Sequence, residues 1–133
     1  MKKLMMIAAA AAWLSACTPK TEQEAANGWP ELDGFHDVMA AVYHPVADSG
    51  NMQPARSLAS KLDSAARVLA SSAVPADRAG EETQLKLAVL RDSSNAFLGK
   101  VNAGSPDSVL RPSITKLHHV FHELMEGGHG KHH

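Results

Sequence analysis

The chain has 133 residues, with 13 Lys and Arg against 14 Asp and Glu, a net charge of −1 with His neutral. That balance offers no basic face for nucleic acid, and a single Cys excludes an internal disulfide framework. Aromatic residues make up only 5% of the chain, and the abundance of Ala, Leu and Ser favours helices over a β-sandwich.

The first residues read as an export signal. Lys2 and Lys3 form a positive start, and an apolar run from Leu4 through Leu14 follows. The run is too short for a stable membrane span and has the length of a signal core. It ends at Leu14-Ser15-Ala16-Cys17, which resembles the lipobox of bacterial lipoproteins. That resemblance implies a lipid on Cys17 and removal of residues 1–16, leaving 117 residues, enough for one domain with its own core. Loss of Lys2 and Lys3 leaves 11 basic residues against 14 acids, a net charge of −3. An ordinary secretory signal with Cys17 incidental fits less well, because positive start, apolar core and Cys fall in lipoprotein order. The expected address is the bacterial cell envelope, with the lipid on Cys17 as the membrane contact. Thr18, where an Asp commonly marks inner-membrane retention, favours the outer membrane facing the periplasm.

Residues 17–30 comprise the lipidated Cys and a polar segment with Pro19, Gly28 and Pro30, read as a flexible tether. A first helix is expected from about Glu31 to about Tyr43, with Phe35, Val38, Met39, Val42 and Val46 as its apolar stripe. Pro45 disfavours a helical His44, so a kink or stop is expected there. A second helix starts near Pro54 and buries Leu58, Leu62, Ala65, Ala66 and Leu69; Ser71 to Gly80 reads as a loop. A third starts near Glu81, with Leu85, Leu87, Ala88, Leu90, Phe97, Leu98 and Val101 on its apolar face, and stops at Asn102-Ala103-Gly104. The fourth opens at Ser105-Pro106-Asp107, with Pro112 a reason for a later start. Leu110, Ile114, Leu117, Phe121 and Leu124 then repeat at spacings of four and three, a bundle-type seam. Gly127-Gly128 ends it, and residues 128–133 form a His-rich tail. Four amphipathic segments over residues 31–127 predict an all-α fold, an up-down-up-down four-helix bundle.

Eight His is a high count for this length. His118 and His122 are four apart, on one face of the fourth helix, and Met125 continues their stripe. His119 points away from the core. His36 flanks the stripe of the first helix, and Met39 lies within it. In the expected topology the start of helix one lies beside the end of helix four. A His pair at helical spacing, met by His36 from a facing helix, makes a workable metal site. His44, eight residues beyond His36, joins it only through a kink at Pro45, or marks its mouth. Met39 and Met125 read first as core filler and second as soft-metal ligands. Imidazole suits Zn, Cu, Ni and Co alike. There is no HExxH motif and no evident general base, so catalysis is not expected.

Phe35-His36-Asp37-Val38-Met39, then His44-Pro45, and Leu117-His118-His119-Val120-Phe121-His122-Glu123 resemble segments of small exported helical bacterial lipoproteins. The resemblance implies a periplasm-facing bundle linked to heavy-metal handling, with metal-efflux components as partners. Some members carry a Cys after the last motif, and this chain has none there. The layout is also similar to four-helix b-type cytochromes, in which an early Met and a late His bind haem axially. Met39 and His122 (or His118) hold comparable places, which makes noncovalent haem b in an electron-transfer protein the rival reading, with a purely structural helical-bundle lipoprotein as the third.

Overall fold

The computed structural model describes residues 28–127. The expected signal segment, Cys17, most of the expected tether and residues 128–133 lie outside the described residues. Every described helix and turn is helical in type, with no strand among the described residues. No helix among them is long and apolar enough to cross a membrane.

Helix α1 spans Pro30–Ser49. Pro30 suits its first turn, Glu31 and Asp33 complement the positive end of the helix dipole, and Gly50 at φ +68° ends it in the left-handed conformation. Two expectations are corrected here. Trp29, assigned by composition to the tether, is fully buried, so the folded body starts one residue ahead of the helix. The helix also runs through Pro45 instead of stopping at His44. A proline inside a helix costs about 3 kcal/mol, and burying a Val side chain returns about 1.5–3 kcal/mol. Val46 is buried, and the Pro45 carbonyl accepts from the Asn51 N–H at 3.0 Å and the Ser49 hydroxyl at 3.1 Å. Continuation therefore offsets the lost bond.

The expected second helix is two pieces, α2 (Gln53–Ser57) and α3 (Ala59–Ser71), joined at Leu58. The hydrogen-bond ladder runs through the joint, with Leu58 N–H donating to Pro54 O and Leu62 N–H to Leu58 O, both at 2.9 Å, while Leu58 itself departs from helical dihedrals at φ −102°, ψ 4°. The following connection contains a 3₁₀ turn over Ala76–Arg78. Helix α4 is Glu81–Asn102. Gly104, at φ +73°, closes it: Gly104 N–H donates to Val101 O and Ser105 N–H to Lys100 O, both at 3.0 Å. Leu85 is 60% exposed, against expectation, since two residues from Leu87 is about 200° around the helix.

Helix α5 is Asp107–Glu126, and Pro112 does not delay its start. No side chain caps it from Ser105 or Pro106. Arg56 of α2 instead donates to Asp107 at 2.6 Å and to the Ser105 carbonyl at 2.9 Å, which ties that end down. Helix α1 packs on α3 and α5, α4 packs on the same two helices, and α2 lies against α1. The five seam residues Leu110, Ile114, Leu117, Phe121 and Leu124 are all buried, as their spacing predicts.

Candidate metal centre

Burial of Leu117, Phe121 and Leu124 orients α5 and leaves His118 and His122 on its flank. On the facing helix α1, burial of Phe35, Met39 and Val42 leaves His36, Tyr43 and His44 less covered. The two helices meet through rings. Phe35 contacts Phe121 with centroids 5.2 Å apart, and His36 stacks on Phe121 at 5.6 Å. Further along α1, Tyr43 stacks on His118 at 3.8 Å with the planes 18° apart. Rising numbers on α1 meet falling numbers on α5, so the helices run antiparallel along this seam.

The Nε2 atoms of His118 and His122 are 3.0 Å apart. One neutral ring donates its Nε2–H to the other, the tautomer deciding which. Their rings stand at 72° to one another. His118 is half-buried, and His36, His44, His119 and His122 are exposed. Burial pushes the His118 imidazole down to about 4 from its ordinary 6.5, and charge on His122, His119, His44 and His36 pushes in the same direction. His118 is thus neutral at neutral pH, the form that binds a metal.

The sequence-derived set is only partly assembled. His118 and His122 are brought together. His36 is on the same seam but lies against Phe121, and His44 reaches His118 through its charge. Among the described residues, no group of three or more His, Cys, Asp or Glu is arranged to hold a metal ion. The preformed element is therefore a two-donor pair with exposed imidazoles around it. Met39 is 1% exposed and belongs to the core, and Met125 is half-buried against it. A haem held between Met39 and exposed His122 would have to part the α1–α5 seam.

Tyr43 is the residue that motif reading missed. It is the one Tyr of the chain and lies seven residues after His36, which puts both on one face of α1. That spacing was the available signal. No family model matches this chain, and no curated protein or solved structure matches it either.

Proposed function

We propose that this protein is a lipid-anchored cell-envelope protein that binds a transition-metal ion through His118 and His122, with His36 and His44 as additional donors from the facing helix. The observation that carries the reading is the pair of Nε2 atoms 3.0 Å apart on a half-exposed seam. A metal ion bound by both takes the place of that hydrogen bond: the ring that donated carries its proton on Nδ1 instead, and both Nε2 lone pairs turn towards the ion. His36 and His44 are exposed, so their side chains can turn towards an ion without disturbing the core. The helix contacts support an up-down four-helix bundle in which α2 and α3 together form one leg. The lipobox-like segment ending at Cys17 supports a periplasm-facing site, and the open pair suits sequestration or hand-over to efflux components better than catalysis.

The test is a melting experiment on the mature chain with Zn, Cu, Ni or Co. An ion at about 100 times its Kd stabilises the native state by about 2.7 kcal/mol, which raises Tm by several degrees. The double variant His118→Ala, His122→Ala is expected to lose that increment. No increment with any of the four ions, or a Soret band on adding haem, overturns the reading.

A further inference from the structure

The His118/His122 pair offers two donors, and no third His, Cys, Asp or Glu is arranged with it among the described residues. Zn, Cu(II), Ni and Co ions held by imidazole take four or more donors in all. The pair lies close to the end of its helix. His122 is five residues before Gly127 and His118 nine, which is about 7.5 Å and about 13.5 Å of helical rise.

More imidazoles follow that end directly. Residues 128–133 read Gly-His-Gly-Lys-His-His, so His129, His132 and His133 all come within six residues of Gly127. They lie outside the described residues, and their reach follows from chain length alone. At about 3.3–3.6 Å per residue, His132 reaches up to about 17 Å from Gly127, beyond both His122 and His118. His129 reaches up to about 7 Å, level with His122. The Gly127-Gly128 pair suits a reversal of the backbone, because glycine takes conformations that other residues avoid. His122 is exposed, so a donor arriving from that end meets it without displacing a core residue.

We infer that His129, His132 and His133 fold back onto the flank of α5 and complete the coordination of the ion held by His118 and His122. The inference rests on the metal-binding reading above and adds the ligands that close the same site. A linker this short holds the second set of donors at a local concentration in the millimolar range, so the two sets bind one ion far more tightly than either does alone.

Calorimetric titration of the mature chain with Ni(II) and with Zn(II), each alone, tests it as a cycle of variants. These are wild type, His118→Ala with His122→Ala, His129→Ala with His132→Ala and His133→Ala, and all five changes together. Wild type is expected to take one ion per chain. The triple variant is expected to bind about a hundredfold more weakly, with an unchanged melting temperature in the absence of ion. The loss with all five changes is expected to fall well short of the two partial losses combined, because both sets serve one ion. Unchanged affinity in the triple variant, additive losses, or two ions per wild-type chain overturns the inference and leaves the pair standing as a site. So does an ion that links two chains into a dimer in sedimentation. Nuclear magnetic resonance of wild type gives a readout free of any variant. One equivalent of the bound ion is expected to shift or broaden the ring protons of the pair and of the tail in one step, and changes confined to one set overturn the inference. Wild type that binds neither ion overturns it too, and overturns the metal-binding reading as well when Cu(II) and Co(II) also leave its melting temperature unchanged.

Discussion

The indole Nε1–H of Trp29 donates to Ser72 Oγ at 2.8 Å, joining the residue that precedes α1 to the residue that ends α3. Ser72 in turn donates to the Leu69 carbonyl at 2.7 Å, so the hydroxyl is used in both directions. Trp29 is fully buried. Ser72→Ala leaves a buried indole N–H without its partner, at a cost of about 1–3 kcal/mol. Trp29→Ala is expected to cost about 3–5 kcal/mol, because it also empties a large core volume. Urea unfolding followed by circular dichroism measures both. Equal losses for the two variants would show that the hydrogen bond, and not the packed ring, dominates.

Ser94 on α4 is fully buried, and its hydroxyl has no hydrogen-bond partner. Asp63 on α3 is also buried; Arg67 donates to its Oδ2 at 3.0 Å, but its Oδ1 has no partner. A buried unsatisfied group costs more than a missing one. Ser94→Ala is therefore expected to raise stability by about 1 kcal/mol, seen as a higher urea midpoint with an unchanged slope. A loss of stability would reveal a partner for the hydroxyl, such as an ordered water.

The last turn of α5 carries no basic residue of its own. Arg78, from the 3₁₀ turn, supplies the missing charge by donating to the Met125 carbonyl at 3.3 Å and the Leu124 carbonyl at 3.5 Å. Lys86 reaches the Glu123 carbonyl at 3.5 Å from α4. Arg78→Ala is expected to cost about 0.5–1.5 kcal/mol and to fray the turn just beyond His122. Faster hydrogen exchange at residues 124–127, with the centre of α5 unchanged, is the signature to measure.

Stability is expected to rise with pH between about 4 and 6.5 through His118. In the folded chain burial holds its imidazole near 4, and in the unfolded chain it titrates near 6.5. Between those values the unfolded state binds a proton that the native state refuses, so lowering the pH favours unfolding. Above 6.5 both states are neutral and the contribution is complete; it is lost as pH falls through about 4. Melting temperatures across this window, compared with His118→Asn, isolate the effect. A variant with the same pH slope as wild type would assign it to another group.

The sequence alone determined that the chain is helical and which stripe of α5 is buried. Leu110, Ile114, Leu117, Phe121 and Leu124 recur at helical spacing, and all five are buried, because one apolar stripe on a helix can be hidden in only one way. It also determined that His118 and His122 share a face, since four residues is close to one turn. What it could not determine was set between helices. Pro45 argued locally for a break, yet burial of Val46 and the Gly50 cap carried α1 past it. Leu85 counted as apolar but lost its place to Leu87 and Leu90 when α4 rotated to face its neighbours. The Tyr43 ring meets His118 only because α1 and α5 pack antiparallel in one register, and no local pattern encodes that register. The His pair was thus written into one helix, while the ring stacked on His118 came from the packing of two.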